Sequence, residues 1–399
     1  MTKLAVVTTH PIQYYAPLFR RLAERGEVAV HVFYGWRGAA GQAAPDKGFG
    51  TSFAWDVPLL DGYDHTFVEN VSDDPGTHHA AGIDAPGMVA AIEAWGPDAV
   101  LVFGWNYRAH RAVMKAFRGR VPVLFRGDST LIDERTDWAG RARTIARRLY
   151  LRWIYRDIDR AVTVGTHNEA YFRAHGVADD RLSWAPHAID NDRFATPGPD
   201  PDGEARQWRR ELGIGDDERA VVFVGKLEHK KAPDVLLRAF LGLPAGTGHL
   251  VFCGAGPLED TLRHEAAGRP DVHFLGFQNQ SRMPIAYRLG DVVALPSRGP
   301  GETWGLAVNE AMASGRAVIV SDRVGCAPDL VDNSNGRVVP VGDADALREA
   351  LAAVLAPGAA EAMGRQSREQ IGAWSIDAAA QGIEAAVHQA LDPSLAQSS

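Results

Sequence analysis

Short apolar runs alternate with amphipathic helical segments along the chain, and the alternation comes in two sets. An early helical segment shows the pattern, because Tyr15, Leu18 and Leu22 recur at helical spacing. Strands that alternate with helices predict parallel sheets covered by helices. The predicted strands of the first set are residues 4–7, 28–34, 99–103, 121–125, 161–164 and 182–185, and those of the second set are residues 220–224, 250–253, 272–275, 292–295 and 318–320.

Two stretches interrupt this alternation. Residues 35–82 are rich in Gly, Asp and aromatic residues, which indicates functional loops rather than core. The segment Thr-Pro-Gly-Pro-Asp-Pro-Asp-Gly at 196–203 predicts a linker. The sequence therefore predicts an N-terminal α/β domain, a second α/β domain and a final amphipathic helix followed by a disordered tail. The boundaries are 1–195 for the first domain, 196–203 for the linker, 204–374 for the second domain and 375–399 for the helix and tail.

Composition narrows the class of protein. A chain of 399 residues, 46% apolar and 23% charged, is typical of a globular protein with two domains. A formal net charge of −8 gives no reason to expect nucleic acid as a partner. Cys253 and Cys326 are the only cysteines, which excludes a disulfide scaffold or a zinc finger and favours a reducing cytoplasm. The apolar run near Met1 is too short for a signal peptide or a membrane span.

One loop in the second set has the pattern of an anion site. A Pro/Gly/Ser-rich turn follows the strand at 292–295 and leads into a predicted helix at 303–314, closed by Gly315. In parallel sheets, ligands gather at the carboxyl ends of strands, and free N–H groups at a helix start face an anion. Glu302 and Glu310 flank this position. The pattern predicts a phosphate-containing ligand with hydroxyl groups on both sides.

These residues also carry a family resemblance. Glu302 and Glu310 have the E-x7-E spacing, set within Pro-Ser-(x)4-Glu-(x)2-Gly-Leu and Glu-Ala-Met-Ala-Ser-Gly. The stretch resembles the donor-site signature of retaining glycosyltransferases of family 4, strongly over residues 220–342 and in outline over the first domain. The resemblance implies the GT-B fold, with two Rossmann-like doubly wound parallel-sheet domains facing a central cleft and a C-terminal helix that crosses back to the first domain. It also implies that the first domain binds the acceptor and the second binds the nucleotide sugar.

A basic turn supplies the next part of the resemblance. The family pattern Gly-Arg-Leu-(x)3-Lys-Gly contributes basic residues that hold the donor diphosphate. In this chain Lys226 stands in place of the Arg, Lys231 matches the Lys, and Ala232 replaces the second Gly. Both lysines bring a positive charge to a leaving diphosphate. Lysine does so through a compact ammonium group, whereas arginine has a planar group that can bind two oxygens at once. The alternative is a solvated basic turn.

The resemblance assigns the remaining donor contacts. It places Glu302 at the sugar hydroxyls near the reacting carbon and Glu310 at the ribose hydroxyls. An ordinary exposed helix glutamate is the alternative for Glu310, and a simple tight turn is the alternative for the Gly-x-Gly segment that begins at Gly254. The other expected donor-binding residues are Gly254 and Gly256 beneath the nucleotide, Phe277 in the segment whose backbone reads the base, and Thr303, Trp304, Gly305 and Leu306 at the helix start.

The first domain departs from the family pattern. His10 and Gln13 follow the first strand and are expected to face the cleft, with a capping loop and a packed histidine as the alternative. Many family members have a histidine after a middle strand, where this chain has Arg126 and Asp128. Because a charged pair at a strand end is rarely core, both are expected in the site, and Asp128 is the candidate catalytic contact. His78 and His79 lie in a loop, and without two further ligands no metal site is predicted there.

Residues 138–156 suggest a partner. This segment holds six arginines and no acidic residue, with Ile145, Leu149 and Trp153 at helical spacing. The first interpretation is a surface helix that buries one stripe against the sheet, because each domain needs such helices. The second is peripheral contact with an anionic membrane on its inner face, which suits a lipid-linked acceptor.

The expected function is sugar transfer with retention at the anomeric carbon. The expected donor is a nucleotide-diphosphate sugar, UDP-sugar first and GDP-mannose next, and the acceptor is a hydroxyl of a glycan or lipid-linked molecule in cell-envelope, polysaccharide or glycolipid synthesis. Neither metal nor other cofactor is expected, because lysines and a helix dipole offset the diphosphate charge. The alternatives are a binding protein that lacks chemistry, a GT-B sugar epimerase, and a dinucleotide-dependent oxidoreductase, which would require Gly-x-Gly-x-x-Gly where Thr9-His10-Pro11 stands.

Overall fold

The computed structural model describes residues 1–38, 44–46, 51–134 and 138–392. The chain forms two compact units. The first consists of Met1–Ala44, Val57–His187 and Ile376–Ser399, and the second of Pro45–Asp56 and Ala188–Ser375.

The strands and helices alternate along the described chain, as the apolar pattern predicts. The strands are β1 (Thr2–Thr8), β2 (Val28–Tyr34), β3 (Ala44–Asp46), β4 (Thr51–Phe53), β5 (Asp64–Phe67), β6 (Ala99–Phe103), β7 (Val123–Arg126), β8 (Arg160–Thr163), β9 (Leu182–Trp184), β10 (Ala220–Val224), β11 (His249–Cys253), β12 (Val272–Phe274), β13 (Val292–Leu295), β14 (Ala317–Ser321) and β15 (Gly336–Val339). The α-helices are α1 (Ala16–Arg25), α2 (Met88–Trp95), α3 (Arg108–Phe117), α4 (Trp138–Ile154), α5 (Thr166–Ala174), α6 (Asn191–Ala195), α7 (Pro201–Glu211), α8 (Pro233–Leu241), α9 (Glu259–Glu265), α10 (Met283–Tyr287), α11 (Leu306–Ala313), α12 (Ala327–Leu330), α13 (Ala344–Val354), α14 (Ala359–Gln370) and α15 (Ile376–Leu391).

The first unit is built on a parallel sheet with the strand order β5-β2-β1-β6-β7-β8-β9. The chain runs outwards from β1 in one direction and from β6 in the other, so the strand order reverses between these two neighbours. Helix α15 packs on α1 and β9 of this unit. Arg25 forms an ion pair with Glu384 at 2.9 Å, and the Ser183 hydroxyl donates to Gln389 at 3.0 Å. The expectation that the C-terminal helix returns to the first domain is confirmed.

The second unit has a parallel sheet with the order β12-β11-β10-β13-β14-β15. Its central strands β10, β13 and β14 are apolar apart from Ser321 at the end of β14, as expected for parallel strands covered by helices on both faces. Val221 and Phe223 of β10 and Ile319 of β14 are fully buried in its core. The strand order reverses between β10 and β13, which makes the carboxyl ends of these two strands the expected ligand position.

The structure departs from the sequence prediction at the proposed linker and at two edge strands. The segment 196–203, expected to link the domains, lies inside the second unit, because Asp200 accepts from the Gly203 amide and starts α7 at Pro201. The edge strands β5 and β15 were not predicted. The tail at 394–399, expected to be disordered, lies outside the described residues.

Candidate functional site

Two loops meet where β10 and β13 end in the second unit. The first loop, 225–232, leads from β10 into α8, and the second, 296–305, leads from β13 into α11. Arg298 forms a two-point ion pair with Asp234, at 2.8 and 2.6 Å, and its amide donates to the Lys230 carbonyl at 2.8 Å. The Lys230 ammonium in turn donates to the Gly301 carbonyl at 2.7 Å. These contacts fix the two loops against each other.

Lys231 and Glu302 meet at this junction. The Lys231 ammonium lies 2.7 Å from the buried Glu302 carboxylate, which also accepts from the Ser297 hydroxyl at 2.9 Å. Burial alone would raise the pKa of Glu302, but Lys231, with help from Lys230 and Ser297, outweighs it and holds the pKa below its usual value. Glu302 is therefore ionised at neutral pH and is an acceptor rather than a proton donor.

Two more features of the first loop position its lysines. Lys226 is half-buried just beyond the end of β10. Ala232 has a φ of +56°, and among the described residues other than glycine no second positive φ occurs. A left-handed backbone favours glycine, which explains physically why the family pattern has glycine at this position. Ala232 therefore adopts the left-handed conformation that glycine would adopt at this position of the family pattern, directly after Lys231.

The Gly-x-Gly segment after β11 packs on the lysine loop. Gly254 has a φ of +150°, and a Cβ atom there would lie 1.9 Å from the carbonyl oxygen of Gly225. A Cβ atom on Gly256 would lie 2.6 Å from the carbonyl oxygen of Leu227. The Gly225 amide donates to the Cys253 carbonyl at 3.0 Å, and the Leu227 amide to the Ala255 carbonyl at 2.9 Å. These glycines are therefore required by close backbone packing that sets the position of Lys226.

Helix α11 begins at Leu306, three residues later than predicted, because Gly305 has a φ of +96°. Gly305 has no side chain that could cap the helix, so its first amides point out of its N-terminus. The Trp304 side chain is buried against Trp374, with ring centroids 5.2 Å apart, and donates to Asn309 at 2.8 Å. Because its side chain is buried, Trp304 can contact a ligand only through its main chain.

Glu310 is buried in α11, which excludes the alternative of an ordinary exposed helix glutamate. Its carboxylate accepts from the Tyr287 hydroxyl at 2.6 Å. Phe277 is half-buried beyond β12, where Gly254 and Gly276 form an isolated backbone bridge. Thr303 is half-buried beside the start of α11. The expected donor residues thus lie on the loops at the carboxyl end of one sheet, apart from Leu306 and Glu310, which lie in α11.

In the first unit, His10 is a packed histidine, the arrangement given above as the alternative to a residue that faces the cleft. Its ring lies 5.3 Å from that of Trp36, and its Nδ1 lies 2.9 Å from the Thr9 hydroxyl. Burial lowers the pKa of His10 to about 4, so the ring is neutral at pH 7. Gln13 is half-buried just before α1.

Arg126 lies in the core, contrary to the expectation for a charged residue at a strand end. Its guanidinium donates to the carbonyls of Ala185 and Pro186, at 2.7 and 2.9 Å, so backbone acceptors compensate its burial. Burial lowers the pKa of Arg126 to about 10. Asp128 is half-buried beyond the end of β7 and acts electrostatically on buried His187, a residue that the sequence analysis did not identify. Burial lowers the pKa of His187 to about 4.

Helix α4 exposes one apolar stripe and buries another. The exposed fractions are 61% for Ile145, 65% for Leu149 and 49% for Trp153, whereas Leu151 and Ile154 of the same helix are buried in the core. The first interpretation, a surface helix that buries one stripe, agrees with these burials, and the buried stripe is the one that contains Leu151 and Ile154. In the part of the chain that the structure describes, no helix has the length and hydrophobicity needed to cross a membrane.

A pH-dependent stability follows from the low pKa of Glu302. A carboxyl group whose pKa is depressed by folding stabilises the fold above about pH 4.3, its usual pKa, and loses this contribution as the pH falls through the depressed value. We expect Glu302→Gln to lower the free energy of unfolding at pH 7 by about 1–3 kcal/mol, because a charged hydrogen-bonded pair is lost. The difference from the parent protein should shrink on acidification, as measured by denaturant titration at several pH values. A difference that grows at low pH would contradict this placement of charge.

Part of the chain matches a family model, and the chain is similar to curated proteins. Residues 204–370 match the family model described as "Glycosyl transferases group 1". The chain is 33% identical over 242 residues to a GDP-mannose-dependent alpha-(1-6)-phosphatidylinositol monomannoside mannosyltransferase of Mycolicibacterium smegmatis, covering 58% of this chain and 61% of that protein. It is also 33% identical over 242 residues to a D-inositol 3-phosphate glycosyltransferase of Xylanimonas cellulosilytica, covering 56% and 57%. The chain thus spans about three fifths of the length of these curated relatives.

Solved structures share the fold over nearly the whole chain. Sucrose-phosphate synthase from Thermosynechococcus elongatus superposes with a TM-score of 0.69 at 21% identity, covering 96% of this chain and 97% of that one. Anabaena HepE in complex with UDP and glucose superposes with a TM-score of 0.70 at 17% identity, covering 96% and 98%. Together with the two parallel sheets, these likenesses confirm the expected GT-B fold.

Proposed function

We propose that this chain is a glycosyltransferase that moves a sugar from a nucleotide-diphosphate sugar to an acceptor hydroxyl. The observation that carries the proposal is the junction of the two loops in the second unit. There the Lys231 ammonium meets ionised Glu302 beside the uncapped start of α11. The family match over residues 204–370 includes this junction.

The chemistry of sugar transfer requires a site that stabilises a departing diphosphate. Negative charge develops on the leaving phosphate as the glycosidic carbon–oxygen bond breaks. Preorganised cations and helix N-terminal amides stabilise such charge, and their effect is large in a site that excludes water. We assign this role to Lys226, Lys231 and the amides at the start of α11. In the structure Lys231 is held by Glu302, so an arriving diphosphate finds its ammonium already positioned.

Glu302 suits the other charge in the reaction. Its depressed pKa makes it a carboxylate that can accept hydrogen bonds from sugar hydroxyls or stabilise an oxocarbenium-like carbon. We propose retention at this carbon, with the leaving phosphate taking the proton of the acceptor hydroxyl. No metal enters the proposed step.

Glu310 and Tyr287 are proposed to define the ribose position. The buried carboxylate already accepts one hydroxyl hydrogen bond, from Tyr287, and ribose hydroxyls present the same type of donor. The names of similar proteins include both a GDP-mannose-dependent enzyme and a structure bound to UDP, so we propose UDP-sugars first and GDP-mannose next.

A screen of nucleotide sugars tests the proposal. The correct donor should raise the melting temperature, because it binds the native state, and addition of acceptor hydroxyl compounds should release the nucleoside diphosphate. Binding without release under any acceptor would favour the alternative of a binding protein that lacks chemistry, for which the buried position of Arg126 is the structural argument. No stabilisation by any UDP- or GDP-sugar would contradict the proposal.

We further propose that α4 docks on an anionic membrane that carries a lipid-linked acceptor. Its exposed stripe, Ile145, Leu149 and Trp153, is bordered by exposed Arg152, which lies three residues beyond Leu149 on the same side of the helix. Apolar side chains flanked by arginines on one helix face fit the boundary between headgroups and acyl chains. Arg156 lies over the Trp153 ring at 5.0 Å, which combines the apolar and the cationic element at the end of this face.

Vesicle sedimentation tests this docking surface. Vesicles containing phosphatidylglycerol should bind the protein, whereas pure phosphatidylcholine vesicles should bind it weakly, since each arginine contributes about 1 kcal/mol at an anionic surface. We expect Ile145→Ser with Leu149→Ser to weaken binding by about tenfold or more, because each side chain loses apolar contact. Val71→Ser, at a residue 55% exposed outside the helix, is the matched control. Equal binding by the double variant and the control would exclude α4 as the membrane contact.

A further inference from the structure

The loop between β5 and α2 of the first unit is fixed by its own hydrogen bonds. The Asn70 side chain accepts from the amides of Ser72 and Asp84, at 3.0 and 3.1 Å, and donates to the Gly82 carbonyl at 2.8 Å. The Gly82 amide donates to the His79 carbonyl at 3.1 Å. The side chains on this loop are therefore presented by a closed, braced turn.

Three metal-ligating side chains converge on this turn. The Asp74 Oδ2 atom lies 2.9 Å from Nε2 of His78 and 3.3 Å from Nε2 of His79, and the ligand atoms of all three lie within 4.8 Å of one another. In a tetrahedral zinc site with bonds of about 2.0–2.1 Å, ligand atoms are about 3.3 Å apart. The Asp74–His79 separation equals this spacing, and the Asp74–His78 separation is shorter by about 0.4 Å, so a small side-chain movement would admit an ion. The side chains of Asp74 and His78 are more than half exposed, so an ion from solution can reach them.

We propose that Asp74, His78 and His79 bind a divalent transition metal, Zn²⁺ first, with water in the remaining position. Two imidazoles and one carboxylate suit zinc and its neighbours, whereas Mg²⁺ and Ca²⁺ require mainly oxygen ligands. Without a metal, the same groups form Asp–His hydrogen bonds, which contribute little at an exposed site. The proposal does not rest on the proposed sugar transfer.

The position of the loop indicates what the metal does. Pro75, next to Asp74, lines a cavity of about 460 Å³ together with Trp36, Arg37 and Asn70. The cavity lies beyond the carboxyl ends of β2 and β5, and Arg37 lies 4.3 Å from the centre of the Phe67 ring. A metal that joins Asp74 to the two histidines would fix one wall of this cavity.

Direct metal binding tests the proposal without an activity assay. Full-length protein without an affinity tag, stripped with EDTA and desalted, should bind one equivalent of Zn²⁺ by titration calorimetry, and Co²⁺ should give a visible ligand-field spectrum that Zn²⁺ removes. His78→Ala with His79→Ala should weaken Zn²⁺ binding by about 100-fold or more, because two of three ligands are lost. His167→Ala with His264→Ala, on α5 and α9, is the control and should bind as the parent does.

The outcomes distinguish a specific metal site from incidental binding of Zn²⁺ to other histidines. Zn²⁺ should raise the melting temperature of the parent and of the control but not of the His78/His79 double variant. The double variant should keep the melting temperature of the metal-free parent, since the His78 side chain is 55% and the His79 side chain 37% exposed. Absence of one-equivalent binding in the parent, or equal binding by the double variant, would overturn the proposal, whatever the outcome of the sugar-transfer assays.

Discussion

Replacing Lys231 with alanine is expected to reduce the turnover of sugar transfer by about 10²–10³-fold, the loss typical when one preorganised charge-stabilising donor is removed. Lys231 holds its ammonium 2.7 Å from Glu302, at the point where β10 and β13 end. The variant removes the positive charge that faces the proposed leaving diphosphate. Turnover is measured as nucleoside diphosphate released per unit time at saturating donor.

Stability must be separated from chemistry in this variant. Lys231→Ala leaves the buried Glu302 carboxylate without its ammonium partner, which destabilises the fold as well. Adding Glu302→Gln to Lys231→Ala removes that buried charge and should restore stability without restoring turnover. Lys115→Ala, at an exposed position of α3, controls for loss of a lysine elsewhere. A folded Lys231→Ala protein with parental turnover would refute the diphosphate role.

Gly254→Ala is expected to lower the free energy of unfolding by about 3 kcal/mol or more, among the largest effects of a single substitution. The new Cβ would lie 1.9 Å from the Gly225 carbonyl oxygen, which belongs to backbone and cannot rotate away. The φ of +150° adds backbone strain. Since Gly225 precedes Lys226, the shift should also displace the lysine loop and reduce donor affinity. Denaturant titration and donor titration measure the two effects.

Gly246→Ala is the matched control for backbone strain. Gly246 has a φ of +80°, and a Cβ there has no atom within 4 Å. Its replacement should therefore cost only the left-handed penalty of about 1–2 kcal/mol and leave donor affinity unchanged. Should Gly254→Ala cost no more than Gly246→Ala, the close packing of the two loops would not be what requires glycine.

The central strands could be predicted from the sequence because they are buried on both faces. Runs such as 220–224 and 292–295 are wholly apolar, and the observed β10 and β13 have the same bounds. The edge strands β5 and β15 carry no such signal. β5 reads Asp-His-Thr-Phe and is only partly buried, and β15 begins Gly-Arg. These strands are defined by hydrogen bonds to a single neighbouring strand, and such hydrogen bonds cannot be predicted from the apolar pattern.

Two features of the helices could not be derived from the sequence: the residue at which α11 begins and the stripe of α4 that is buried. The predicted start of α11 at Thr303 is three residues early, because the helix formers there precede the left-handed Gly305. The sequence did not show which stripe of α4 is buried, because periodicity gives the spacing of a stripe but not which of two stripes faces the sheet. Leu151 and Ile154 form the buried stripe, and Leu149 and Trp153 the exposed one.

The site could be predicted in part. Motif spacing identified Lys231 and Glu302 individually, but their ion pair depends on the strand order, which places β10 beside β13. The brace between Asp234 and Arg298 was missed, since 64 residues separate the partners. Tyr287 was missed for the same reason, because only the folded chain brings its hydroxyl to Glu310.

The most direct measurement of the central claim is a crystal structure of the protein with a bound nucleoside diphosphate, UDP or GDP as the donor screen selects. We expect the diphosphate oxygens within hydrogen-bond distance of the Lys226 and Lys231 ammonium groups and of the amides at the start of α11, with a ribose hydroxyl on Glu310. A nucleotide bound elsewhere, with both lysines and those amides hydrated, would contradict the claim.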